Sequence, residues 1–338
     1  MQDVLSLCPR EATVRAIRRE TPDVWTLDLD PAGGHYDYLP GQYALVGVDQ
    51  DRHVRAYTLS STPGVTPGLS LTVRRIENGI GSTWLTARVQ PGDRLRLSAA
   101  QGRFTPEHAP GDAYLLLAAG CGITPVMSMT RWLLTHRPGT PVTVLYHARR
   151  EQDVIFADEW RALQQRHPCQ LTLHRLIREH GREHTQLSAT LLSGLVPDIA
   201  ARTVMSCGPE TYMAAASALA RQLGVPEARI HSETFLPKNV PAVETAPADA
   251  PRHQIVLEPW GDRAETARGG NLLAALEAQG IPMIAACRSG DCGSCKVKVL
   301  SGDYRMGAQS ALSAQELADG WVLACCCSVE GDLVVSQG

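Results

Sequence analysis

Residues 287–295 read Cys287-Arg288-Ser289-Gly290-Asp291-Cys292-Gly293-Ser294-Cys295, and cysteine returns about thirty residues on at Leu323-Ala324-Cys325. A C-x4-C-x2-C run with one remote cysteine is the plant-type spacing for a [2Fe–2S] cluster. Four thiolates have to surround two irons in a tight loop, so the intervening backbone must come close to the sulfides. Gly290, Gly293 and Ser294 are small enough to allow this. Structural zinc is the competing use, but it usually shows two C-x2-C-like pairs, and only one such pair stands here, preceded by a wider loop. The candidate metal ligands are therefore Cys287, Cys292, Cys295 and Cys325. Cys326 and Cys327 follow directly, which makes the fourth ligand less obvious. If the strand through Val322 and Leu323 continued, Cys326 would point to the opposite side, and Cys327 would share the face of Cys325 two residues farther on.

Outward from this loop, the segment 253–338 opens with the strand H-Q-I-V-L-E and continues into a predicted helix over Leu272–Gln279. Ser313 and Glu316 have capping-box spacing. Ahead of it, residues 237–252 (P-K-N-V-P-A-V-E-T-A-P-A-D-A-P-R) are rich in Pro and Ala and read as a semi-extended linker. In residues 111–236, apolar strands at Ala113–Ala118, Val142–Tyr146, Leu171–Leu176 and Thr203–Ser206 alternate with helical stretches near Val126–Thr135, Ala157–Arg166 and Glu210–Leu223. This alternation predicts an α/β domain with a parallel sheet. Residues 8–108 carry short alternating runs broken by Gly and Pro, which predict an antiparallel β-barrel. The fold class is thus multidomain.

The chain has 338 residues, 44% of them hydrophobic, which is enough for two or three cores. Its formal charge of −3 argues against nucleic-acid binding. The longest apolar run, Tyr114–Ile123, is about half a membrane span, and the N-terminus lacks the pattern of a signal peptide. No membrane partner is expected, and a cytoplasmic location follows. Ten cysteines in an intracellular chain point to metal or redox chemistry before disulfides.

Further motifs carry chemistry. Arg55-Ala56-Tyr57-Thr58-Leu59-Ser60-Ser61 can present a guanidinium and an aromatic plane from one strand face, although alone it is equally a half-buried strand. Leu71-Thr72-Val73-Arg74-Arg75 leads to Gly79-Ile80-Gly81-Ser82-Thr83, a basic strand entering a helix start whose backbone N–H groups can bind phosphate. Ala118-Ala119-Gly120-Cys121-Gly122-Ile123-Thr124-Pro125 follows a buried strand, with Thr124 expected as N-cap and Pro125 as first helical residue. It is not G-x-G-x-x-G, so the usual dinucleotide fingerprint is absent. Cys207-Gly208-Pro209 ends a later strand, and His231-Ser232-Glu233-Thr234-Phe235 closes the segment.

Together these elements resemble the ferredoxin reductase superfamily. The resemblance implies that Arg55 grips a flavin phosphate, Tyr57 covers the isoalloxazine ring and Thr58 hydrogen-bonds near its N5. Ser60, Arg74, Gly81, Ser82 and Thr83 would line FAD. Gly120, Gly122, Thr124, Cys207, Gly208 and Pro209 would hold the nicotinamide cofactor. Cys207, Glu233 and Phe235 would stand with Tyr57 and Thr58 at the reacting rings, Phe235 as an aromatic lid or a plug in the domain seam. The L-A-C position matches Cys325 to the fourth ligand of plant-type ferredoxins, and the C-terminal segment would be an α+β (β-grasp) ferredoxin domain. Longer stretches (E-T-P-D-V-W-T, G-Q-Y-A-L-V, R-A-Y-T-L-S-S-T-P-G-V, A-A-G-C-G-I-T-P-V-M-S-M, D-V-I-F-A-D-E-W) look like the branch of NADH oxidoreductases that serves hybrid-cluster protein. The implied route is NADH to FAD to [2Fe–2S] to an acceptor protein. The runner-up is the reductase component of a Rieske-type two-component oxygenase, built from the same three modules. A zinc- or thiol-based binding module on a reductase scaffold is the non-enzymatic alternative. After Val142–Tyr146 come Arg149 and Arg150, able to hold a 2′-phosphate, and Glu151 and Asp153, which weaken that potential. The resemblance itself points to NADH.

Overall fold

The computed structural model describes residues 4–77, 79–181, 185–233, 252–259, 261–281, 283, 285, 288, 290, 292–307, 309 and 311–336. A short helix α1 (Val4–Leu7) precedes a six-stranded sheet made of β1 (Arg10–Thr21), β2 (Val24–Pro31), β3 (Tyr43–Val48), β4 (His53–Thr58), β5 (Leu69–Arg74) and β6 (Arg94–Leu97). The order is β4-β3-β6-β1-β2-β5, and β1–β2, β1–β6, β2–β5 and β3–β6 pair antiparallel. Register shifts in β1 between Val14 and Ala16 and between Arg19 and Thr21 bend that long strand. Just past β4, Leu59 bridges Leu71, and Ser60 N donates to Ser70 O at 2.8 Å. The first and last strands of the order therefore meet, and the sheet closes as the alternating pattern predicts. Leu27, Leu29, Leu71, Val73, Leu95 and Leu97 fill its interior. Helix α2 (Ile80–Ala87) follows β5.

The second sheet is parallel: β7 (Tyr114–Ala119), β8 (Val142–Ala148), β9 (Leu171–Ile177), β10 (Thr203–Cys207) and β11 (Ile230–Glu233), in the order β11-β10-β7-β8-β9. Its inner strands β7, β8 and β10 are buried nearly along their whole length because both faces are covered. Leu116 and Ala118 of β7 pack with α3 (Ile123–His136) and α4 (Ala157–Arg166). Leu115 and Leu117 face α5 (Ala189–Leu195) and α6 (Glu210–Gln222) on the other side. The chain runs outward from β7 to β9 and then returns to β10, so the carboxyl ends of β7 and β10 flank the point where the strand order reverses. Ligands of open α/β sheets bind at such a point.

The C-terminal unit has a mixed sheet in the order β13-β12-β17-β15-β16, with β14 paired to β17. Its elements are β12 (Arg252–Glu258), β13 (Asp262–Ala267), β14 (Gly270–Asn271), α7 (Leu272–Ala278), β15 (Lys296–Met306), α8 (Ala314–Ala318), β16 (Trp321–Leu323) and β17 (Cys327–Ser336). Leu272, Leu273 and Leu276 of α7 bury against Ile255, Val297, Leu333 and Val335. The capping box at Ser313 is present, with Glu316 N donating to Ser313 Oγ and Ser313 N to the Glu316 carboxylate. Among the described residues no helix is long and apolar enough to cross a membrane.

Candidate functional site

At the reversal point, β7 runs into one 3-10 turn, Gly120–Gly122, before α3 begins at Ile123. This corrects the expected cap. Gly122 is the N-cap, Thr124 is already helical, and its Oγ1 donates back to Cys121 O at 3.0 Å. Gly120 is left-handed (φ +56°), and a Cβ there would stand 3.1 Å from Arg74 Nη1. Arg74, which also pairs with Asp23 at 3.1 Å, thus brings the basic end of β5 onto the Gly120 turn. A Cβ on Gly122 would lie 2.0 Å from Cys207 O, so only glycine lets the two loops meet. Pro209 is the N-cap of α6, and a Cβ on Gly208 would touch Ala119 Cβ at 3.0 Å.

Cys207 and Glu233 are register partners at the carboxyl edge of β10 and β11. Burial, reinforced by the Glu233 charge, pushes the Cys207 thiol well above its ordinary value. Burial thus disfavours the thiolate form of Cys207. Glu233 reaches the barrel side as well: a Cβ on Gly102 would come within 3.4 Å of its Oε1 and 3.1 Å of the Tyr43 ring.

On the barrel side, Thr58 is buried, and its Oγ1 has no hydrogen-bond partner among the described residues. Such an orphan fits a ligand atom arriving beside it. Tyr57 is partly buried against the barrel core. Arg55 Nη1 donates to Val54 O at 2.8 Å. The Ser60 hydroxyl is taken up inside the barrel by Thr72 Oγ1 at 2.8 Å and Ser70 O at 3.1 Å. Helix α2 starts at Gly79 with no side-chain cap, Gly81 and Ser82 are buried in its first turn, and Ser82 Oγ accepts from Ile76 N at 3.1 Å. Beside this start lies an open cleft of about 290 Å³ lined by Asp49, Gly79, Ile80, Thr83, Trp84 and Arg88. Uncapped N–H groups facing a cleft suit the pyrophosphate of a dinucleotide. Arg75 turns away to stack 4.3 Å over Trp25 and to donate to Thr86.

One feature had no sequence signal. Arg131 of α3 is buried; it donates at 2.6 Å to Ser60 O and holds both Glu159 carboxylate oxygens at 2.6 Å. One turn earlier, Ser128 Oγ donates to Ser61 O at 2.5 Å, and Thr62 Oγ1 donates to Ser128 O at 3.2 Å. The helix that starts at the Gly120 turn is therefore bolted to the strand end that follows Thr58.

Beyond β8, Arg150 is engaged by Asp153 at 3.1 and 3.2 Å. Glu151 accepts from Arg175 at 2.9 Å, and its backbone N donates to Glu179 at 2.8 Å. These pairings occupy the Arg150 and Arg175 guanidiniums, which makes them less available to a 2′-phosphate.

In the C-terminal unit Cys295 and Cys325 are almost fully buried. Hydrogen bonding of the Cys325 thiol to Cys295, then to Cys326, with burial added, raises its pKa strongly. Their sulfurs thus converge from the cysteine loop and from the remote cysteine, with Cys292 half-buried at 3.1 Å from Ser294 Oγ. Gly290 and Gly293 are left-handed (φ +84° and +72°). Converging thiols on glycine-relieved backbone fit a [2Fe–2S] cluster. A second expectation needs correction here. The chain leaves β16 into a 3-10 turn, Ala324–Cys326, so strand alternation stops, and Cys326 Sγ lies 3.6 Å from Cys325 Sγ rather than on the opposite side. Cys287, Phe235 and residues 237–251 lie outside the described residues.

Three family models match in sequence: an oxidoreductase FAD-binding domain over residues 12–105, an oxidoreductase NAD-binding domain over 116–218 and a 2Fe-2S iron-sulfur cluster binding domain over 257–330. The chain is 46% identical over 330 residues to NADH oxidoreductase HCR of Escherichia coli K12, covering 97% of this chain and 98% of that one. It is 36% identical over 307 residues to the ferredoxin reductase component of 3-ketosteroid-9-alpha-monooxygenase from Mycobacterium tuberculosis, covering 88% and 84%. Among solved structures, phthalate dioxygenase reductase superposes with a TM-score of 0.66 at 22% identity over 97% of both chains, a likeness of fold.

Proposed function

The chain belongs to the ferredoxin reductase superfamily, as an NADH-dependent flavin reductase with a C-terminal 2Fe-2S domain, and from that premise we propose that it delivers electrons to hybrid-cluster protein. The observation that carries this acceptor is the 46% identity along 97% of the chain to NADH oxidoreductase HCR. It adds to the long stretches that resemble the oxidoreductases serving hybrid-cluster protein.

FAD, when bound, accepts two electrons from NADH and releases them singly to a one-electron cluster. The rest falls to the chain's own residues. Arg55 and Arg74 hold phosphate, with Gly81, Ser82 and Thr83 offering the start of α2. Tyr57 covers the flavin ring, Thr58 hydrogen-bonds its edge, and Ser60 stiffens the strand behind them. Gly120, Gly122 and Thr124 form the turn on which the donor pyrophosphate rests, while Cys207, Gly208 and Pro209 floor the nicotinamide pocket. Glu233 and Phe235 close the junction and exclude water. Cys287, Cys292, Cys295 and Cys325 ligate the cluster. The domains follow the boundaries 8–108, 111–236 and 253–338, joined by 237–252. The working compartment is the cytoplasm, with neither nucleic acid nor membrane as a partner.

A second reading, reductase of a Rieske-type oxygenase, draws support from the monooxygenase reductase relatives. Stopped-flow mixing of NADH-reduced protein with each acceptor separates the two. Fast oxidation by hybrid-cluster protein and slow oxidation by the Rieske component are expected; the reverse order would sink the proposal.

A further inference from the structure

We propose that Cys326 is a reserve ligand of the iron–sulfur cluster: where Cys325 is lost, the Cys326 thiol takes its place on iron. This rests on the reading of Cys325 as the resident fourth ligand.

The argument begins with the turn. In a continuing strand, neighbouring side chains point to opposite faces. The 3-10 turn Ala324–Cys326 breaks that alternation and leaves Cys325 Sγ and Cys326 Sγ 3.6 Å apart. One χ1 step between staggered wells carries a cysteine sulfur by roughly 3 Å. The separation of the two sulfurs is thus close to one such step, which puts Cys326 within near reach of the place of Cys325 Sγ. Cys326 is only partly buried, whereas Cys327 is fully enclosed in the core at the start of β17.

The backbone of the turn is held independently of either thiol. Asn271 Nδ2 donates to Ala324 O, Cys325 O and Cys327 O at 3.4, 3.0 and 3.3 Å. Gly307 N donates to Cys326 O at 2.7 Å, and a Cβ on Gly307 would press within 3.1 Å of that oxygen. Truncating Cys325 removes none of these bonds, so Cys326 stays within reach of the vacated position. The substitution is balanced. The Cys326 thiol gives its proton to water and forms the Fe–S bond that Cys325 otherwise makes, and no electron moves.

The test is iron content and the visible and electron paramagnetic spectra of the full-length protein, with FAD occupancy reporting that each variant has folded. Cys326→Ala should keep two irons per chain and the unaltered spectrum. Cys325→Ala should keep two irons with a shifted spectrum, and the Cys325→Ala/Cys326→Ala double variant should lose its iron. Loss of iron in Cys325→Ala equal to that in the double variant would overturn the reserve role while leaving Cys325 as resident ligand. A shifted spectrum in Cys326→Ala together with an unaltered one in Cys325→Ala would instead overturn the assignment of Cys325. Should Cys325→Ala fail to fold, Cys325→Ser is compared with Cys325→Ser/Cys326→Ala. Different spectra support the exchange, and indistinguishable ones refute it, because serine itself would then be the ligand.

Discussion

A buried hydroxyl without a partner costs a fold about 1–3 kcal/mol, and among the described residues Thr58 keeps one. Thr58→Val exchanges that hydroxyl for a methyl of equal size. The flavin-free form should melt at the same temperature or higher, while reduction of bound FAD by NADH in single turnover slows roughly tenfold, for a lost hydrogen bond of about 1–1.5 kcal/mol. His147, at the end of β8, makes a different prediction. Its Nε2 is 3.1 Å from Thr185 O, which can only accept, so Nε2 carries the proton and Nδ1 accepts from Tyr212 OH at 3.0 Å. Burial pulls its pKa from 6.5 down to about 4. Between those values the unfolded chain binds a proton that the folded one refuses, so stability falls as pH drops from 6.5 towards 4. Unfolding followed by flavin fluorescence should show this acid loss shrinking by about 3 kcal/mol in His147→Asn. Glu316, held low at about 2 by Lys296 and Ser313, contributes stability that is lost as pH falls from 4.5 towards 2, overlapping only the lower end of that window.

Among the elements, the loop after β8 predicts donor choice. Asp153→Asn frees Arg150 from its partner, so the ratio of kcat/KM for NADPH over NADH should rise severalfold in steady-state flavin reduction. Asn271 is the hinge of two elements. Its Oδ1 caps α7 by accepting from Ala274 N at 2.9 Å, and its Nδ2 ties the cysteine turn. Asn271→Asp keeps the cap but aims a carboxylate at three carbonyls, so the cluster should bleach at lower temperature than in the unaltered protein, and Asn271→Ala should lose both functions, about 1–3 kcal/mol. The elements themselves were largely legible. Apolar runs located the parallel strands, and the helix at Ala157–Arg166 matches its predicted bounds. The motif residues Gly120, Gly122, Cys207 and Glu233 do meet at one edge. What escaped is the long-range pairing. Arg131 finds Ser60 across 71 residues and Glu159 across 28, and no periodicity encodes such partners. Thr124 misled because Thr before Pro is a strong cap signal, yet a glycine 3-10 turn had already begun the helix. Cys326 misled because alternation was carried past the end of a three-residue strand. Helix α5, capped by Ser188, is too short at seven residues for its period to stand out.

For the whole molecule, division of labour follows from what each core can hold. The closed antiparallel sheet and the parallel sheet offer uncapped helix starts and glycine turns to nucleotides, and the C-terminal unit offers converging thiols to iron. The charge of −3 is carried by a chain with many internal ion pairs, among them Arg131–Glu159 and Arg202–Asp198. Helix α3 links the first two sheets by following the Gly120 turn at one end and gripping Ser60 and Ser61 midway. Shuffling experiments inherit a rule from this. A hybrid reductase that takes its flavin half from one parent and its nicotinamide half from another, joined near residue 110, splits the grip between strangers. Such a hybrid should turn over NADH poorly, and it should recover when the counterparts of residues 60–62, 128, 131 and 159 are grafted from a single parent. Residue sets of this kind are therefore the indivisible unit of inheritance in a chain whose domains otherwise look interchangeable.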